Sequence, residues 1–406
     1  MTTTNLLELD LPFVSTMSAE YDADAHGVWR EVMKDHWLAR TEIAVNVLPY
    51  KANFEMMRTR QLTTMGDTIM TVQGITDGWL YRYWTDGLIM TMPDDRHARL
   101  RKLLSPAFTP KAVERFRPAM REIARSLVDR FRADGRCDFV RDFAHLYPVE
   151  VMARLMGLPT EDVELYGRWA ADIGLLFSFP VAPFADRVEA AISGLFDYAG
   201  DLVASRRKDL KDDLLSALIQ AEEDGERLSS EELRWQIVNM TFAGHDTTKN
   251  SSTYLMRLFC EHPDQWRRLR EDPSLAPNAI DEGLRMEPVI PTTMRTTVDE
   301  FVYDGVVFPA GTPVMLRADT SNRDPSMFFD PDRFDITRHN AGQHMTFGGG
   351  VHYCLGANLA KAEMQEALPI LAEAMPEVHF DGPGDWRPRS SMLLGADSMP
   401  VAFATA

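Results

Sequence analysis

The sequence predicts a mainly α fold with a small β part. Three observations predict it: apolar residues recur every three or four positions over long stretches, one helical pattern runs through roughly thirty residues or more, and the segments with strand character are short and few.

In chain order, the first strand candidate is Ile43 to Val47, where apolar residues alternate. Between Pro110 and Gly135, Val113, Phe116, Met120, Ile123, Leu127 and Phe131 form one apolar stripe on a helix. Tyr147 to Met156 is a second helix, closed by Gly157 and followed by Pro159. Ser229 and Glu232 make a capping-box pattern, and helix formers continue from there to His262-Pro263. At 1.5 Å per residue that helix reaches about 50 Å, enough to run through the middle of a domain. Phe301-Val302-Tyr303, an Asp304-Gly305 turn and Val306-Val307-Phe308 read as a hairpin. Pro309-Ala310-Gly311 turns the chain again before Val314-Met315-Leu316. No repeat, low-complexity tract or Gly/Ser linker interrupts the pattern, so residues 1–406 are expected to form a single domain.

The bulk composition excludes several function classes. With 45% hydrophobic and 26% charged residues, the 406-residue chain is of ordinary globular type. Its net charge of −18 repels phosphate backbones and argues against nucleic-acid binding. Cys137, Cys260 and Cys354 are too few and scattered for a disulfide framework, and no CxxC pair suggests zinc. Neither a signal-peptide pattern nor an apolar run of membrane-spanning length is present, so a cytoplasmic location with reduced thiols and no membrane contact is expected.

The chemistry concentrates in Phe347-Gly348-Gly349-Gly350-Val351-His352-Tyr353-Cys354-Leu355-Gly356. Three glycines let backbone lie close against a flat ligand. Helix-forming sequence begins just after Cys354, and the positive end of a helix favours thiolate over thiol. No phosphate-binding GxGxxG or GxxxxGK[ST] is completed. Phe347, Gly350, Cys354 and Gly356 fill every position of Phe-x-x-Gly-x-x-x-Cys-x-Gly, and the segment resembles the haem-binding signature of the cytochrome P-450 family. That resemblance, which extends from about residue 90 to the C-terminus, implies haem b with Cys354 as the iron's axial ligand and Phe347, Gly348 and Gly356 in the cradle. A thiolate there pushes electron density towards a bound O–O bond.

Three further segments agree. Glu282-Gly283-Leu284-Arg285 resembles the family's Glu-x-x-Arg, a buried ion pair bracing the haem-binding core, and Phe328 to Phe334 resembles the meander that completes it. Ala243-Gly244-His245-Asp246-Thr247-Thr248 interrupts the long helix with a glycine and two β-branched residues, and the Thr247 hydroxyl can reach the carbonyl of residue 243. It resembles the family's acid–alcohol pair over the distal haem face, which makes Thr247 and Asp246 the catalytic candidates: Thr247 to stabilise bound oxygen and Asp246 to help supply protons. His245 is expected at the surface or in packing rather than on iron. His97, Arg101, Arg295 and His352 match the family's positions for charge-assisted contacts to haem propionates.

The implied function is insertion of one oxygen atom from O2 into an apolar small molecule. No flavin or Rossmann module is visible, so electrons are expected from a ferredoxin and its NAD(P)H-dependent reductase, with Lys102 and Lys361 as candidate contacts. Pocket candidates are Trp79, Tyr81, Tyr83, Phe242, Ala243, Val289, Ile290, Leu393 and Leu394, with Leu175 to Phe184, including Phe177 and Phe179, as a lid. A peroxide-driven haem enzyme and a non-catalytic haem sensor or carrier are the alternatives; neither needs the Asp246–Thr247 pair.

Overall fold

The computed structural model describes residues 3–178, 180–223 and 226–405. Its axis is the helix Ser230–Glu261, 32 residues and so about 48 Å long. The capping box forms as the sequence predicts: the Glu232 amide donates to Ser229 Oγ at 3.1 Å and the Ser229 amide donates to the Glu232 carboxylate at 2.9 Å. Helices Leu146–Met156, Val163–Gly174, Ala185–Arg206 and Ala276–Met286 pack around it. Most of its residues are buried as a result, including polar ones such as Asn239, Asp246 and Asn250.

The stripe from Pro110 to Gly135 is not one helix. It splits into Pro110–Glu114 and Arg117–Val128, followed by a short 3-10 turn at Arg132–Asp134. Pro118 explains the break, because proline lacks the N–H an interior position must donate and fits only a first turn, where it lies here. The apolar stripe survives on the second piece, with Met120, Ala124 and Leu127 buried against helix Ala357–Ala374. Leu146–Met156 ends at Gly157 in the left-handed conformation, φ 65°.

The β part is small. Its main sheet orders the strands Leu38–Arg40, Val45–Val47, Pro313–Arg317, Thr292–Thr297 and Leu62–Thr63. Strand structure starts at Val45 rather than Ile43, whose side chain is exposed. Arg295 pairs in register with Val314, which fixes the direction of its side chain from a rigid element. The predicted hairpin forms, with Asp304 and Gly305 both at positive φ, as a type I′ turn requires.

One large apolar core runs through the helices, and two smaller ones lie under the sheet and the N-terminal helix Ala19–Met33. Among the described residues, no helix is long and apolar enough to cross a membrane.

Candidate active site

The Cys354 loop is shaped by its backbone. Gly350 lies at φ 64°, and a Cβ there would stand 2.3 Å from the Met57 carbonyl oxygen, so the loop can close on the neighbouring chain only with glycine. The Cys354 amide donates to the Phe347 carbonyl at 2.9 Å, and helix Ala357–Ala374 starts immediately after. Burial pushes the Cys354 thiol up; the amides of Gly356 and Ala357 and the charge of Arg101 pull it down without cancelling the rise. The helix-end effect expected from the sequence is therefore present but outweighed. Cys354 nevertheless keeps accessible surface while protein encloses it, the mark of a side chain lining an interior cleft. Cys137 and Cys260 are raised to a greater degree, chiefly by burial.

Beside the loop, four nitrogenous side chains from three segments converge: His97 and Arg101 on helix Asp94–Leu104, Arg295 on its strand and His352 in the cysteine loop. The His97 and His352 rings lie 4.2 Å apart, and Arg295 and Arg101 are close enough to depress both imidazoles. His352 is pushed down to about 3, first by burial and then by Arg295, His97 and Arg101. Burial brings Arg295 down to about 10, against an opposing pull from Asp94. Among the described residues, neither Arg101 nor Arg295 has a carboxylate within ion-pair distance, and His352 Nδ1 is buried without a hydrogen-bond partner. Two guanidinium groups, Arg295 buried and Arg101 half-buried, beside two imidazoles fit the carboxylates of a haem edge.

In the long helix, the Thr247 hydroxyl donates to the Ala243 carbonyl at 2.7 Å, as its spacing predicts. Ala243 is exposed between buried Phe242 and buried His245, so this face of the helix borders the cleft. Asp246 faces elsewhere. Its oxygens lie 3.5 Å from Lys249 Nζ, 3.6 Å from His245 Nδ1 and 3.6 Å from Arg387 Nη1. Burial would raise its carboxyl, but Lys249, His245 and Arg387 outweigh that and hold it below the usual range. Gly174 allows this packing, since a Cβ there would come within 2.6 Å of the Asp246 carboxylate. His245 corrects the sequence expectation in part: it is no surface residue but fully buried, and its Nε2 lies 3.0 Å from Nδ1 of His145.

The brace is complete. Arg285 donates to both oxygens of Glu282 at 2.7 and 2.9 Å, and to the carbonyls of Asn322 and Pro331 at 2.8 Å each. Arg338 and the Asp335 amide also donate to Glu282, tying the 328–334 meander to helix Ala276–Met286.

A sequence model described as Cytochrome P450 matches residues 168–373. Luteothin monooxygenase of Streptomyces thioluteus is 34% identical over 400 residues, covering 98% of this chain and 97% of its own. The chain belongs to the cytochrome P450 family. Cytochrome P450 monooxygenase PikC of Streptomyces venezuelae is 39% identical over 315 residues, 76% of this chain and 74% of that one. The solved structure of cytochrome P450 TbtJ1 superposes with a TM-score of 0.83 at 32% identity, covering 94% and 98% of the two chains. As a cytochrome P450 the protein is a haem-thiolate monooxygenase, an oxidoreductase that incorporates oxygen from O2 and draws electrons from redox partners.

The pocket candidates of this P450 fall into two groups. Phe242 stacks on Phe177 of the turn Leu175–Phe177, ring centroids 4.8 Å apart and 9° from parallel, directly beside Ala243. The Leu394 amide donates to the Val289 carbonyl at 2.8 Å, joining the 289–290 and 393–394 segments, with Ile290 exposed. Trp79 and Tyr83 instead pack on Trp235, at 6.0 Å each, and Tyr81 turns its hydroxyl to Asp67 at 2.8 Å. Phe179 lies outside the described residues. Lys361 pairs with Asp281 at 2.6 Å. Sequence reasoning missed His145, Lys249 and Arg387, which surround Asp246 from positions 101, 3 and 141 residues away. Only Lys249, one helical turn on, left a signal in the spacing.

Proposed function

We propose that this single-unit P450 binds haem b with Cys354 as the axial ligand and hydroxylates an apolar small molecule. Haem b, when bound, supplies the activation of O2 and the insertion of oxygen into a carbon–hydrogen bond. The observation that carries the assignment is the Cys354 loop: its thiol, unlike those of Cys137 and Cys260, faces two helix-end amides and the Arg101 guanidinium. Burial opposes a free thiolate there, so coordination to a cation is what would stabilise the charged sulfur. His97, Arg101, Arg295 and His352 hold the propionates, and Phe347, Gly348 and Gly356 form the cradle.

On the opposite side, Thr247 borders the substrate space and holds a proton at its hydroxyl, while Asp246 hands protons inward from the ionic cluster. Phe177, Phe242, Ala243, Val289, Ile290, Leu393 and Leu394 exclude water and shape an apolar pocket suited to terpenoids, steroids, fatty acids or macrolides. Trp79 and Tyr81 contribute from the outer wall. Electrons come from a ferredoxin and an NAD(P)H-dependent reductase, docking near Lys102 and Lys361 in the cytoplasm.

The test is a screen of hydrophobic compounds by the spin-state change of the haem spectrum, followed by turnover with NADH, a surrogate ferredoxin and reductase. Hydroxylated product that requires all three supports the reading. Product formed only with added peroxide, or binding without turnover, overturns it.

A further inference from the structure

Five titratable or charged groups, His145, His245, Asp246, Lys249 and Arg387, gather at the His245–Lys249 stretch of the long helix. His245 is fully buried and the Asp246 side chain nearly so. His145, at the start of helix Leu146–Met156, is half-buried and meets His245 edge-on, ring planes at 78°. His145 Nδ1 and His245 Nε2 are 3.0 Å apart, a hydrogen bond between two imidazoles. The other nitrogen of His245, Nδ1, has no hydrogen-bond partner among the described residues and lies 3.6 Å from Asp246 Oδ1. A packing histidine ordinarily satisfies both nitrogens, because a buried unpaired one costs stability. Here one nitrogen is engaged by a second imidazole, and the other is left facing a carboxylate.

We propose that His145 and His245 form a proton relay that carries solvent protons to Asp246. The inference rests on the reading of Asp246 as the inward proton donor. In the resting arrangement His145 carries its proton on Nδ1, donating to His245 Nε2, and His245 carries its proton on Nδ1, towards Asp246. For each proton delivered, hydronium gives up an O–H bond and leaves as water while an N–H bond forms at His145 Nε2 and the one at Nδ1 breaks. A bond then forms at His245 Nε2 while the one at Nδ1 breaks, and an O–H bond forms on Asp246. One proton has moved from hydronium to carboxyl and both rings end neutral as Nε2–H tautomers, which return to the Nδ1–H form by proton exchange with solvent between turnovers. The hydroxylation consumes two protons with two electrons per O2, giving one alcohol and one water.

The surrounding charges suit this role. Lys249 and Arg387 face Asp246, and Lys249 also acts on both imidazoles. They keep the carboxylate anionic until a proton arrives, and burial keeps His245 neutral, its pKa pushed down to about 3. A neutral imidazole passes a proton without holding a charge at rest. Arg387 also approaches the exposed Asp397 at 3.4 Å, which offers protons a competing route past Arg387.

The experiment uses haem-loaded wild type, His145→Phe, His245→Asn and Asp246→Asn, with NADH, surrogate ferredoxin and reductase, and testosterone as the probe. Oxygen uptake per haem is read in H2O and D2O, because hydroxylation and uncoupled reduction both consume protons. The relay predicts that His145→Phe and His245→Asn slow uptake roughly a hundredfold, the low end for a positioned proton-transfer group, and enlarge the solvent isotope effect. First-electron reduction stays at the wild-type rate. Nitrogen NMR of the ferrous carbonyl form should show His245 as a neutral ring at pH 6, with its tautomer altered by His145→Phe. If Asp246→Asn is slow while both histidine variants match wild type in rate and isotope effect, the relay is wrong and the route past Arg387 stands. If Asp246→Asn itself matches wild type, the role of Asp246 fails and the relay with it. Lowered haem content with an unchanged isotope effect per haem assigns the pair to packing and overturns the proposal.

Discussion

Glu282 and Arg285, one helical turn apart, meet through two hydrogen bonds of 2.7 and 2.9 Å with both side chains fully buried. The pair is a hub rather than an isolated bridge. Arg285 also holds the carbonyls of Asn322 and Pro331, and Glu282 receives Arg338 and the amide of Asp335. Removing one member of such a pair strands a charge and costs about 3–5 kcal/mol, a large share of a total near ~5–15 kcal/mol. Glu282→Ala should therefore yield mostly insoluble or haem-poor protein, measured as haem absorbance per protein and melting temperature. Wild-type values for both would refute the brace.

Thr247 and Asp246 lie next to each other in sequence but face different surroundings, and their variants should differ accordingly. Thr247→Ala removes only the hydroxyl bonded to the Ala243 carbonyl. Haem binding, substrate binding and first reduction should stay nearly intact, while NADH is diverted to peroxide. Asp246→Asn should slow oxygen uptake itself. The ratio of product to NADH, with peroxide counted separately, distinguishes the two; an unchanged ratio in Thr247→Ala removes Thr247 from proton delivery.

Burial of His245 has a consequence for stability against pH. Its folded-state pKa, about 3, lies below the ordinary histidine value of 6.5, so the fold favours the neutral ring. Above the ordinary value it contributes nothing to pH dependence. As pH falls below it, the unfolded chain takes up a proton that the folded chain refuses, and stability drops by about 1.4 kcal/mol per pH unit. His26, His145 and His344 are depressed in the same direction, chiefly by burial, and add to the loss. Denaturant unfolding between pH 7.5 and 5.5 should show the decline, and His245→Asn should make it shallower. A slope identical in the two proteins would contradict the burial argument.

Lys361 is paired with Asp281 at 2.6 Å, so steering of an acidic ferredoxin should depend on more than that one lysine. Reversing Lys102 and Lys361 together should slow ferredoxin-driven reduction at low salt, with the difference shrinking as ionic strength rises. Reduction by dithionite should not change. An unaltered ferredoxin rate at low salt would exclude this face as the docking site.

What the sequence made legible follows the range of the interactions. The capping box at Ser229–Glu232, the Thr247–Ala243 contact and the Asp304–Gly305 hairpin each involve residues at most seven apart, where helix and turn geometry fix the outcome. The ion pair at Glu282 was readable for the same reason, yet Arg338 and Asp335, which complete it, were not. Pro118 was visible, but the continuous apolar stripe around it concealed the break. His145 and Arg387 reach Asp246 only through packing of distant segments, and no spacing rule brings residues 145 and 245 together. The sequence left His245 open between surface and packing, because its burial depends on helices that neighbour it in space alone.

The central claim is that Cys354, and neither Cys137 nor Cys260, binds the haem iron. Its most direct test is the ferrous carbonyl spectrum of three single variants reconstituted with haem, Cys354→Ala, Cys137→Ala and Cys260→Ala. Cys137 is buried at a strand edge and Cys260 sits near the end of the long helix, and both thiols are raised mainly by burial. The red-shifted Soret band of a thiolate-ligated haem should be lost in Cys354→Ala alone. Its survival in Cys354→Ala, together with its loss in either of the other two, would contradict the assignment.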